Sequence, residues 1–413
     1  MIMKITRRRL GGTAFWSLLP AVALIVTPLA AQPISEVDAV DAALAQGDFA
    51  ALGEAERAAA EARVRAIPRL ENPEASISRD QVSGSAGRET EWHASVTQPI
   101  DISGQSSSLR QAARAESQAV IAGIARRRQE RIAETREAFA GCAASTEKVA
   151  IAERYVARLR EAERIVDLRT RAGDTAGYDL RRLRVEARGA EAELRLAQGE
   201  VGAECATLSR LTGLADARPD IALSAMLPAS PARAGIEAAA ASRQDLVARE
   251  AQVAAATAEV TAAQRSRIPD LSVGLGYKRI NNNEGSAGGP TVALGVRLPI
   301  FNNGGAAVAE ARARQRVREA ELGLARREAE ASIAAAAARA SAATAAAQKA
   351  REAAGDAARL GAIAEAAYQG GETGVIELVD AYRTARDAEL NIVELTERAV
   401  RAKVAQSLAE GRE

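Results

Sequence analysis

The chain has 413 residues, 47% hydrophobic and 26% charged, with 55 basic against 54 acidic side chains and a net charge of +1. Only 3% of residues are aromatic, whereas Ala supplies about a quarter of the chain, well above its usual share. Ala forms helix readily but buries little apolar surface, so the composition favours long, thinly packed helices over a thick core. A near-zero net charge provides no global field toward nucleic acid. One histidine, His93, and two cysteines leave too few ligands for a zinc, haem or iron–sulfur cofactor.

The first 31 residues read as an export signal. Lys4, Arg7, Arg8 and Arg9 precede an apolar run from Ala14 to Ala30, with small residues at a cleavage position. Arg7-Arg8-Arg9 leaves both the general and the twin-arginine route open. Residues 32–215 then form a first repeat, 216–231 a linker and 232–413 a second repeat.

Proline divides the chain, because it breaks helices. The blocks 100–218 and 300–413 contain none, and each predicts two long helices joined by one turn. The first turn falls at Gly173, with a helix from about Ser106 to Ala172, and the second at Gly371. At 1.5 Å per residue the first helix spans about 100 Å, a length suited to a coiled coil. Before each block lies a segment of period two. Leu271, Val273, Leu275 and Tyr277 alternate with Ser272, Gly274, Gly276 and Lys278; Val292, Leu294, Val296 and Leu298 follow a loop placed at Asn281–Gly289. A weaker copy has Ala75 and Ile77, a polar loop, then Trp92, Ala94 and Val96. These predict two β-hairpins, near 73–100 and 270–300, with strands about ten residues long, the span of a tilted membrane strand. Trp92 and Tyr277 suit the lipid side or a protein contact, and His93, on the polar face, a pore wall or a loop rather than a ligand.

The halves repeat. Pro68 and Pro269 lie 201 residues apart, Pro99 and Pro299 200, and Leu180 and Leu378 198. Four membrane strands cannot close a barrel, for which about eight is the minimum. An open sheet in lipid leaves two edges unpaired. Oligomerisation follows: two copies supply eight strands, three supply twelve.

The order of elements, the repeat, the IPDL…LPIF bracket and the RAGDTAGYDL and YQGGETGVIELVDA turns resemble the TolC-type outer-membrane efflux proteins across the whole mature chain. The first turn is similar to the CzcC-like heavy-metal branch. The resemblance implies a homotrimer in the cell outer membrane: a twelve-stranded β-barrel in lipid on a long periplasmic α-barrel. It implies an exit duct that partners a periplasmic adaptor and an inner-membrane transporter of the resistance–nodulation–division (RND) type. Drug efflux and type I secretion use the same tube, so the cargo stays open. Gly173 and Gly371 match the tips where adaptors dock, although helix capping alone accounts for glycine there. Glu377 and Asp380 match the acidic constriction; a solvated helix face is the simpler reading. Tyr368 and Asp179 match residues linking neighbouring tip helices, but Thr373 replaces the usual basic bridge.

Cys142 and Cys205 are equidistant from the first turn, so an antiparallel hairpin brings them face to face. An oxidising compartment then predicts a disulfide, against the alternative of two buried thiols. No P-loop, full dinucleotide fingerprint or nucleophile elbow occurs, and no base beyond His93. An enzyme is not expected. A non-transporting coiled-coil scaffold explains the helices but not the hairpins.

Overall fold

A computed structural model describes residues 32–85, 87–172, 177–227 and 235–412; the signal segment and the first turn at Gly173 lie outside them. The elements run β1 (Gln32–Ile34), α1 (Glu36–Ala45), α2 (Gly47–Ala66), β2 (Glu74–Gly84), β3 (Gly87–Ile100), α3 (Gln105–Ala172) and α4 (Gly177–Thr212). Then come β4 (Ala217–Pro219), a 3-10 turn (Leu223–Met226), α5 (Ile236–Ala241), α6 (Gln244–Arg265), β5 (Asp270–Asn282), β6 (Gly285–Arg297), α7 (Gly305–Gln369) and α8 (Val375–Ala409). Each half thus carries a helix, a hairpin and two long helices. The molecule is mainly α with a small β part.

Why the helices can be so long is visible in their seams. Between 329 and 350 of α7 the buried residues are Ala329, Ile333, Ala336, Ala340, Ala343, Thr344, Ala347 and Ala350, spaced alternately four and three except for Thr344. That period of 3.5 keeps one narrow stripe against α8, and alanine lets the backbones approach closely. At the waist the pattern changes: residues 138–145 of α3 are buried on every side. There Phe139, Leu208 and Leu211 pack with α1, β1 and β4, while Ala140, Ala144, Leu223, Val393 and Val400 pack beneath. A Cβ at Gly141 would lie 2.5 Å from the Glu204 carboxylate, so a larger residue would have to displace that side chain. Cys142 and Cys205 lie in this waist, joined as a disulfide with Cα atoms 4.7 Å apart.

The two hairpins form one antiparallel sheet in the order β2-β3-β5-β6, which leaves β2 and β6 as free edges. The strands are longer than the alternation suggested. The expected loop Asn281–Gly289 is almost all strand, turning only at Asn283 and Glu284. Asn282 Oδ1 accepts the backbone N–H groups of Glu284 and Gly285, both at 3.0 Å. Gly288 marks close packing rather than a loop: a Cβ there would sit 2.7 Å from the Tyr277 hydroxyl, whereas Gly285 and Gly289 have open space around them. The polar loop of the first hairpin is likewise strand, with Arg79 paired to Trp92 and Gln81 to Thr90. Backbone pairing continues whatever the polarity of the side chains. A second, two-stranded sheet pairs β1 with β4 in parallel, an element too short for its sequence to announce.

Candidate functional site

Two regions hold the residues singled out by sequence: the sheet and the far end of the helices. In the sheet, one face is built from Ile77, Trp92, Ala94, Val96, Leu271, Val273, Leu275, Tyr277, Val292, Leu294 and Val296, aligned row by row by the register. These large apolar side chains face out: Ile77 is 77% exposed, Leu275 63% and Leu294 71%. The opposite face is polar and internally bonded. His93 Nε2 and Thr291 Oγ1 share a hydrogen bond of 3.1 Å, Ser76 and Ser95 hydroxyls meet at 2.9 Å, and Lys278 pairs with Glu91 at 2.6 Å. On that face a Cβ at Gly276 would strike the Ala94 carbonyl at 2.7 Å; its glycines permit tight curvature. A sheet apolar outside, polar inside and open at both edges is a barrel segment. His93 lies on the inner face and Trp92 and Tyr277 on the outer one. Among the described residues no helix is long and apolar enough to cross a membrane.

At the other end, Tyr155, Leu159, Val166, Leu180, Leu183, Tyr368, Val375, Leu378 and Tyr382 form one core drawn from α3, α4, α7 and α8. Both repeats therefore meet at the tip. Gly371 sits in the turn after α7 with φ of 77°, a conformation that glycine adopts without strain. Glu377 and Asp380 are exposed on the first turns of α8, where carboxylates favour the helix dipole. Tyr368 is buried, and among the described residues its hydroxyl and the Thr373 hydroxyl are without a hydrogen-bond partner. Burial raises the Tyr368 pKa and the Asp179 charge raises it further, against the Arg169 cation, which lies 5.0 Å above the ring. Tyr368 and Asp179 are thus brought near one another without a hydrogen bond.

A polar network that the sequence reading missed lies deeper along the same helices. Glu186 of α4 accepts from Tyr155 Oη of α3 at 2.8 Å and from Arg383 of α8 at 2.7 Å. Arg386 stacks 4.5 Å from the Tyr155 ring centre and pairs with Glu193 at 3.1 Å. The Arg383 hydrogen bond holds the Glu186 carboxyl below the usual carboxylate range, against burial. Burial and Glu186 together push Tyr155 up to about 12. The signal that could have found it is the repeat itself. Glu186 and Arg383 are 197 residues apart, one short of the Leu180–Leu378 offset, so equivalent helices of the two halves face each other. Among the described residues no group of three His, Cys, Asp or Glu could hold a metal ion.

The family model described as outer membrane efflux protein matches residues 39–214 and again 235–411. The chain belongs to the outer membrane efflux protein family. The double match coincides with the twofold repeat, and as family members reside in the outer membrane, the helices are periplasmic and the hairpin turns point outward. The protein is an efflux protein, not an enzyme. Solved structures agree in fold: CusC at 18% identity, covering 92% of each chain with a TM-score of 0.77. The open-state MtrE channel of Neisseria gonorrhoeae is 17% identical over 91% of this chain and 89% of that one, with a TM-score of 0.78. VceC of Vibrio cholerae is 19% identical over 91% and 96%, with a TM-score of 0.74. None of the curated proteins matches the chain by sequence.

Proposed function

We propose that three copies of this chain close a twelve-stranded outer-membrane barrel and act as the passive exit duct of a tripartite efflux system. The observation that carries the reading is the four-stranded sheet with an exposed apolar face and two unpaired edges. In lipid each orphaned backbone group costs several kcal/mol, so copies must pair edge to edge. A coiled-coil scaffold has no use for such a sheet. The test is physical: purified mature protein run as an SDS-resistant, heat-dissociable trimer and added to planar bilayers should give stepwise ion conductance. A water-soluble monomer without conductance overturns the proposal.

The tips at Gly371 and Gly173 are the proposed docking points for a periplasmic adaptor, which connects the duct to an inner-membrane RND transporter. Threefold symmetry would set Glu377 and Asp380 as two stacked rings of carboxylates at the mouth, attracting cations and repelling one another. Tyr368 and Asp179 would link neighbouring helices of that mouth; the Tyr368 hydroxyl, unpartnered among the described residues, supports such a link. The RAGDTAGYDLRRL turn and the acidic mouth favour heavy-metal cations as cargo. Loss of zinc, cadmium or copper tolerance on deletion, with drug tolerance unchanged, is the expected outcome; the reverse pattern refutes the cargo.

A further inference from the structure

The apolar band of the sheet's outer face ends abruptly toward the hairpin turns, and what replaces it is cationic. Register aligns Arg79, Trp92 and Arg279 in one row across β2, β3 and β5. The next row holds Gln81, Thr90 and Asn281, and the row beyond pairs Ser83 with Arg88. Neighbouring strands lie about 4.8 Å apart, so Arg79 and Arg279 flank the indole directly, while Arg88 stands about 13 Å along the strand. The strand alternation sends the carboxylates on β2 and β3 in this region to the other face, and Glu284 stands in the turn between β5 and β6. Asp80 pairs with Glu91 in register and Val82 with Glu89, and Glu91 is already neutralised by Lys278 at 2.6 Å. None of the three arginines has an ion pair among the described residues: Arg79 rests 5.4 Å from the Trp92 ring centre and donates to Gln81 Oε1 at 3.3 Å.

Two uncompensated guanidinium groups beside an exposed indole and a third about 13 Å along the strand, continuous with a lipid-facing band, match an amphiphile with acyl chains below and phosphate above. Guanidinium binds phosphate bidentately, and tryptophan favours the membrane interface. Because the hairpin turns point outward, this row meets the external leaflet. We infer that Arg79, Arg88, Arg279 and Trp92 form a docking site for the phosphate groups of the outer-leaflet glycolipid, of the lipid A class. The inference rests on the barrel reading of the sheet.

Native mass spectrometry of the full-length, delipidated oligomer tests it, using bisphosphorylated lipid A, its dephosphorylated form, phosphatidylglycerol and inorganic phosphate as probes. Bisphosphorylated lipid A should be retained at least tenfold better than the other three. The Arg79→Gln/Arg88→Gln/Arg279→Gln variant should lose that preference. Arg279→Gln alone, which removes the guanidinium on one side of the indole, should weaken it severalfold, and Arg63→Gln/Arg69→Gln at the periplasmic end should not change it. Equal retention by the triple variant, or equal binding of phosphatidylglycerol or inorganic phosphate, overturns the inference. Bilayer conductance of the same samples separates the cases: a conducting triple variant that still prefers lipid A refutes this site, whereas a wild-type protein that forms no channel refutes the duct.

Discussion

Leu275 offers the sharpest test of which face of the sheet meets lipid. It pairs with Val96 on one side and Val292 on the other. On β5 the outward row runs from Leu271 through Leu275 to Arg279, eight residues or about 26 Å along the strand. A tilt of about 40° reduces this to about 20 Å, near the height of a barrel's apolar band, and places Leu275 at mid-depth. Arginine there should cost about 2–4 kcal/mol per chain. Ser78 on β2 pairs with His93 and points to the opposite, polar face, where arginine should cost less than about 1 kcal/mol and alter conductance instead. Urea unfolding from liposomes, followed by Trp fluorescence, compares Leu275→Arg with Ser78→Arg. If the two cost the same, or Ser78→Arg costs more, the assignment of faces is wrong.

Other outcomes follow from the helical part. Thiol labelling of the unreduced, denatured protein should find no free cysteine. The Cys142→Ser/Cys205→Ser variant should lose about 4 kcal/mol, as expected for releasing a loop of 63 residues in the chain-entropy picture; two labelled thiols per chain refute the bridge. Glu186 has a depressed pKa in the folded protein, so its contribution is present above the unfolded carboxylate value of about 4.3 and is lost as pH falls through the lower folded value. Hydrogen exchange at the tip should accelerate in that range, and Glu186→Gln should remove that part of the pH dependence. Glu377→Gln/Asp380→Asn should reduce cation selectivity, read as a smaller reversal potential under a salt gradient, with conductance preserved.

The sequence disclosed the helices and hairpins because their signals are categorical. Proline-free blocks and strict alternation at Leu271–Tyr277 admit few alternatives. Strand ends were harder, since Arg79, Gln81 and Thr90 lie where the strands leave the apolar band and carry no pattern of burial. Gly288 and Gly289 looked like loop because composition does not reveal that Tyr277 fills the space above Gly288. At the tip, spacing alone put Glu377 and Asp380 on one face of α8. The Tyr155–Glu186–Arg383 cluster was invisible to any single-helix period, because it joins two repeats and is satisfied only in three dimensions.

Cohesion is distributed unequally along the helices, and the reason is chemical. At the waist, α3 is enclosed on all sides and Phe139, Leu208 and Leu211 are fully buried beside the disulfide. Apolar burial of that kind is worth about 1.5–3 kcal/mol per large side chain and is lost only by separating the elements. Toward the tip, Leu183 of α4 and Leu378 of α8 share a buried core, and partly exposed ion pairs add to it, Glu186 with Arg383 and Glu193 with Arg386. Such pairs contribute about 0–1 kcal/mol each, because water compensates the charges when they part. Parting α8 from α4 therefore costs apolar burial at both ends, and only the waist adds a covalent bridge.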